Sequence, residues 1–189
     1  SLSLNSRGSH DSRSADEGLV MIPGSLAMMA SGGETYRFLR LHITANVGGS
    51  VYGVAVEIDY SADGGTTWLP ASAMTANNAP SPLVASADSE FSASYEAWLG
   101  FDNSSATNPW NSANSAMPHW IKIDLGSGNE ISPNRIRYVN WNSGGNDYTL
   151  KDFTIQGSNT GAFTGEQATL LTKTGEPTQA HLTTITYTI

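Results

Sequence analysis

The chain has 189 residues, 14% of them charged, with 19 Gly, no Cys, five Trp, seven Tyr, five Phe and a formal charge of −8. That length suits one domain with a proper core, or a small domain plus an arm. The lack of Cys excludes disulfides, thiolate nucleophiles and zinc ribbons. Nine scattered Lys and Arg argue against nucleic acid as a partner, and no apolar stretch approaches the roughly 20 residues of a membrane-spanning helix, so no membrane insertion is expected.

Residues 1–33 are mostly Ser, Gly, Asn and Asp around one apolar island, Leu19-Val20-Met21-Ile22-Pro23. Such a segment buries too little to offset its ordering entropy. It reads as an N-terminal arm that orders on a partner or on the domain, or else as a loose terminus. Its first residues, Ser1 to Gly8, lack the basic-then-apolar build of a secretory signal.

A single domain is expected over 34–189. From Tyr36 the pattern changes: Tyr36, Phe38, Leu41, Ile43 and then Val51, Val54, Val56, Ile58, Tyr60 predict short strands. Asn46 to Ser50 is a turn between them. Asp63-Gly64 is a hairpin signal, after which Thr66 to Leu69 starts a strand or closes the loop. Pro80 and Pro82 disfavour helix in the connector that follows. Beyond it come a strand at 84–89, a helical turn at 94–100 and a strand at 120–125. In that strand Trp120, Lys122 and Asp124 alternate with Ile121, Ile123 and Leu125. Strands at 135–139, 153–156, 168–172 and 182–189 complete the set. Closely spaced turns between so many short strands predict an all-β fold, an antiparallel β-sandwich or jelly roll. Ile58 to Gly64 and Ile155 to Gly161 echo each other as two uses of similar turn chemistry.

Enzyme templates are missing from this string. The four His, at 10, 42, 119 and 181, form no His-x-x-x-His pair, and neither a Gly-x-Ser-x-Gly elbow nor a phosphate loop with Lys is present. A non-catalytic protein is expected. The most site-like stretch is Asn140 to Tyr148, which combines Trp141 and Tyr148 with Asn142 and Asp147. A flat aromatic ring suits the apolar face of a pyranose, and amide or carboxylate groups suit its hydroxyls. The ordinary alternative is that Trp141 tucks under its own loop. His119 and residues 111–115 are expected to line an adjacent loop. The loop Asp102 to Thr107 offers a carboxylate, hydroxyls and free carbonyls, the hard oxygens that calcium takes; a metal-free Asx turn explains it equally.

Five pieces in order carry a family resemblance: Ala85 to Ala87, Ala97 to Asn103, Trp110, Pro118 to Gly126, and Lys151 to Asn159. Together they resemble the discoidin domain, also called the coagulation-factor type C or galactose-binding-like domain. The resemblance implies an eight-stranded jelly roll whose loops at one end bind sugars, lipid headgroups or proteins, usually without catalysis. It also implies that Trp110 and Trp120 face the core, and that Asp102, Thr107 and Glu57 enclose a structural calcium ion.

In the family, strings like Tyr36 to Ala45 and Val54 to Ile58 come last, whereas here they come first. Circular permutation explains this order, with 36–60 lying beside 182–189. Strand exchange with a neighbouring chain, or a remnant of a preceding copy, are the alternatives, and the residues before Tyr36 are too few for such a copy. Discoidin-like segments of this kind are frequent in bacteriophage tail and virion proteins. The functional expectation is a carbohydrate-binding adhesion module displayed on a phage particle, at the virion surface or outside the cell, with a cell-surface glycan as partner. The alternative is a structural virion protein, such as a decoration, spike-base or baseplate component. In either case the arm would meet other virion proteins and the chain would be oligomeric in the particle.

Overall fold

The computed structural model describes residues 33–189 except 106, 107 and 144, so the arm, apart from Gly33, lies outside the described residues. The strands are β1 (Phe38–Asn46), β2 (Val54–Ala55), β3 (Glu57–Ser61), β4 (Val84–Ala87), β5 (Trp110–Asn111) and β6 (His119–Asp124). They continue with β7 (Arg135–Val139), β8 (Asn142–Ser143), β9 (Asn146–Asp147), β10 (Leu150–Ser158), β11 (Ala168–Lys173) and β12 (Thr184–Thr188); a 3₁₀ turn spans Ala97–Phe101. A five-stranded antiparallel sheet runs β11-β10-β1-β6-β4, and a three-stranded one runs β12-β7-β3.

Period-two alternation decides how the sheets pack. Leu39, Leu41 and Ile43 of β1, Ile121 and Ile123 of β6, and Phe153 and Ile155 of β10 are all buried on one face of the larger sheet. They meet Ile58, Tyr60, Ile136 and Tyr138 from the smaller sheet in one core, with the Tyr138 and Phe153 rings 6.2 Å apart. Each of these side chains contributes roughly 1.5–3 kcal/mol by leaving water. Trp110 closes one side of this core. It is fully buried, and its indole N–H donates to the Ser89 carbonyl at 3.1 Å. Gly100 lets the 3₁₀ turn approach, since a Cβ there would sit 2.8 Å from the Ile121 side chain.

Two expectations are corrected. Segment 36–60 does not lie beside 182–189: β7 separates β12 from β3, and β1 crosses to the centre of the other sheet between β10 and β6. Cross-strand chemistry accounts for the first part, because Asp59 opposes Arg137 and Ile58 opposes Tyr138 across β3 and β7. The apolar face of β1, flanked by two strands with matching faces, accounts for the second. Trp120 does not face the core; it shares the outer face of β6 with Lys122 and Asp124 while Ile121 and Ile123 point inward. The Asp63-Gly64 turn takes the second of the two courses its sequence left open and closes its loop. The chain returns only to a bridge between Leu69 and Tyr60, with N–H to carbonyl distances of 2.8 and 2.9 Å.

The echo between 58–64 and 155–161 is a shared turn device. Ser61 Oγ accepts from the Asp63 and Gly65 N–H groups, and Ser158 Oγ accepts from those of Thr160 and Gly161.

Candidate functional site

The loop from Asn140 to Tyr148 folds back as a short hairpin. Asn142 opposes Asp147, Ser143 opposes Asn146, and Gly145 takes a φ of 82° between them. The base of the hairpin is tied down by Asn140, which is buried and donates its amide to the Gln179 and Ala180 carbonyls, both at 3.2 Å. Trp141 is half-buried and meets His181 in a T-shaped contact at 4.7 Å.

A cavity of about 280 Å³ opens beside this hairpin, lined among the described residues by Trp141, Tyr148, Ser143, Asn146, Tyr95 and Asn111, with Val54 and Pro109 at its wall. Trp141 and Tyr148 therefore meet as the sequence suggested. Asn142 and Asp147 do not join them. Directly opposed residues of a hairpin share a face, so the pair Asn142 and Asp147 turns away and the pair Ser143 and Asn146 lines the cavity instead. Asn142 Nδ2 donates to the Gln179 carbonyl at 2.9 Å, and Asp147 Oδ1 accepts from the Thr149 N–H at 3.0 Å. Partial burial pushes the Asp147 carboxyl up, but hydrogen bonds from Thr149 and Thr178 outweigh it and hold the group below its ordinary value.

His119 is corrected as a binding residue. Its ring is fully buried, with Nδ1 2.7 Å from Asp88 and Nε2 2.9 Å from the Val51 carbonyl and 3.1 Å from that of Ser115. Both nitrogens are engaged, so the ring serves to join three loops rather than to meet a ligand.

Sequence reasoning missed an aromatic row whose two ends, Tyr148 and Tyr95, both line the cavity. Tyr148 contacts Tyr52 at 6.3 Å, Tyr52 contacts Phe91 at 5.9 Å, and Phe91 contacts Tyr95 at 5.7 Å. Phe91 is 52% exposed. The available signal was three aromatic residues set in Gly- and Ser-rich loops, where no alternating pattern assigns them to a core. Asn111 was within the suggested 111–115 stretch, and its Oδ1 is buried without a hydrogen-bond partner.

The second cluster surrounds Glu57. Its side chain is buried in β3, and Oε2 accepts from the Ser104 N–H at 3.0 Å, a group that also donates to Asp102 Oδ1 at 2.9 Å. The two carboxyls thus converge on one loop amide, as expected. Thr107, the third residue suggested for this site, lies outside the described residues. Burial first, and then the neighbouring Asp59 and Asp102, push the Glu57 carboxyl up to about 9. Among the described residues its Oε1 has no hydrogen-bond partner, nor has Oδ1 of Asp59. Asp59 Oδ2 pairs with Arg137 Nε at 2.7 Å.

These oxygens suit a hard cation, because a buried carboxyl with one unpartnered oxygen gains most from a positive charge at that oxygen. Among the described residues no three His, Cys, Asp or Glu side chains are grouped to hold a metal. A calcium ion here would therefore take much of its shell from loop carbonyls and hydroxyls.

A family model described as the F5/8 type C domain matches residues 84–187, from the first residue of β4 into β12. No curated protein is similar enough to the chain to match it. Domains of this family are typically carbohydrate- or ligand-binding modules and generally act without catalysis. With more than half of its length covered by that match and two antiparallel sheets packed as a β-sandwich, the chain belongs to the F5/8 type C, or discoidin, domain family.

Proposed function

We propose that this domain is a non-catalytic carbohydrate-binding and adhesion module that seats a sugar residue in the cavity between Trp141, Tyr148, Tyr95 and Asn111. The observation that carries this reading is the chemistry of the cavity wall: aromatic rings for the apolar face of a pyranose beside the Asn111 and Asn146 side chains, amides suited to its hydroxyls. The described residues lining it include no Asp, Glu or His. A glycosidase would need two carboxyl groups across the scissile bond.

Calcium is part of the same proposal, as a structural ion held by Glu57 and Asp102, with Thr107 as its third side chain. The expected setting is the surface of a phage particle facing a cell-surface glycan.

A glycan array on the wild-type chain and on Trp141→Ala tests the module. Wild type is expected to retain at least one neutral glycan, and the variant to lose it while melting nearly as wild type does. Unchanged binding in the variant overturns the cavity as the seat. Absence of any glycan binding, together with stable incorporation into particles, supports a structural virion role instead.

A further inference from the structure

On the outer face of the five-stranded sheet, Arg40 of β1 stands directly opposite Lys122 of β6. Like charges in that position repel and weaken a sheet, and the chain as a whole carries a charge of −8. Among the described residues neither side chain forms an ion pair. The nearby carboxylates are engaged elsewhere. Asp124 is held by Arg37 through two hydrogen bonds of 2.7 and 2.8 Å. Glu166 accepts from Ser158 Oγ at 2.9 Å and from the Phe163 N–H at 2.7 Å.

The two cations also share a wall of rings. Arg40 lies 4.1 Å from the centre of Phe163 and 5.9 Å from that of Trp120, while Lys122 lies 5.5 Å from Phe163 and 5.2 Å from Trp120. Protein acceptors use only part of their hydrogen-bonding capacity. Arg40 Nε donates to Gln156 Oε1 at 2.8 Å, and Lys122 Nζ donates to the Gly161 carbonyl at 2.8 Å. That leaves the terminal guanidinium nitrogens and two ammonium protons. Burial lowers the pKa of both groups, with Arg40 adding to the effect at Lys122, while Glu166 acts the other way on Arg40 and Asp124 on Lys122.

We propose that this face is a second glycan subsite, separate from the Trp141 cavity, which binds the carboxylate of a single acidic sugar between Arg40 and Lys122 with the sugar ring against Trp120. Charge complementarity selects the occupant. A carboxylate relieves the repulsion between the cations and accepts their free donors, and the half-buried Trp120 ring offers an apolar face beside them. The acidic chain repels a long polyanion over the rest of its surface, so one acidic residue on an otherwise neutral glycan fits best.

The test is calorimetric titration of the full chain with sialyllactose, with lactose and with a hexaglutamate peptide. Wild type should bind sialyllactose roughly tenfold more tightly than lactose, the size of a charged hydrogen bond, and added salt should reduce that preference. The preference should persist in Trp141→Ala, which separates this subsite from the cavity. It should vanish in Arg40→Gln and in Lys122→Gln, with melting temperatures unchanged or raised, because each change removes a like-charge contact. If either variant unfolds, the Trp120 indole resonance of the wild type decides, since sialyllactose should shift it and lactose should not. Equal affinity for sialyllactose and lactose, a preference retained in both charge variants, or equally tight binding of the peptide overturns the proposal.

Discussion

The cavity at Trp141 and the cluster at Glu57 are built near one another in sequence, with Val54 of the first only three residues before Glu57 of the second. They are held by opposite means. Around Trp141 the contacts are ring against ring and amide to carbonyl, and the rings remain partly open to solvent. Around Glu57 two carboxyls are withdrawn from water, a guanidinium pairs with Asp59, and an oxygen of each carboxyl lacks a hydrogen-bond partner among the described residues. An open aromatic surface can change without harm to the core. A buried excess of negative charge makes stability depend on protons and cations.

The largest test of that contrast removes the guanidinium. Arg137→Leu leaves Asp59 buried and unpaired, and denaturant unfolding should register a loss of about 3 kcal/mol, as when one partner of a buried ion pair is deleted. The loss should shrink at acid pH, where Asp59 can protonate. A loss independent of pH would mean that the contact of Arg137 with the Trp68 ring, 4.4 Å away, matters more than the charge.

Calcium supplies the next effect. At one hundred times its dissociation constant it should stabilise the fold by about 2.7 kcal/mol through mass action, and chelation should lower the melting temperature. Asp102→Ala should abolish the response. Superimposable melting curves with and without chelator would leave the loop at 102–107 as an Asx turn without metal.

Protons act on the same cluster. The Glu57 carboxyl rises from an ordinary 4.5 to about 9 on folding, so the folded chain holds a proton that the unfolded chain releases between those values. In the absence of calcium, this group's contribution is therefore full below about pH 4.5, declines as pH rises toward 9 and is constant above it. Glu57→Gln removes the dependence. Its stability should exceed that of wild type by an amount that grows with pH, on the order of 1–2 kcal/mol by pH 8 once partial water entry is allowed for. Parallel pH profiles for the two proteins would contradict the assignment.

The smallest expected change in stability comes from Trp141→Ala, under about 1 kcal/mol, because the ring is half-buried on a loop. The corresponding change at the fully buried Trp110 should cost roughly 3–5 kcal/mol. Thermal melts of the two variants side by side measure the difference directly. Comparable losses would make Trp141 a packing residue and remove it as a sugar platform.

Much of this was readable in the string because sheet periodicity is local. Alternation in Trp120 to Leu125 assigned Ile121 and Ile123 to the core and Lys122 and Asp124 to the outside. The same alternation contradicted the family-based expectation that Trp120 faces inward, and alternation prevailed. At the Trp141 loop the composition singled out a segment that lines a cavity, but Ser143 and Asn146 face it in place of Asn142 and Asp147. Which residues of a hairpin face a cavity depends on its register, and Asn142, Ser143, Asn146 and Asp147 are indistinguishable by composition. Tyr52, Phe91 and Tyr95 could not be joined to Tyr148 at all, because they come from two other loops whose approach is made by the sheets.

The sequence by itself determined the all-β class, the approximate strand positions and the family, since turn residues, two-residue periodicity and ordered motifs are properties of neighbouring residues. Only the tertiary structure decided that β1 enters the larger sheet while β3 pairs with β7, that His119 is consumed by three loops, and that Arg40 stands opposite Lys122. Those outcomes depend on pairing between residues far apart in the chain, where burial and charge select among registers that local sequence leaves equivalent.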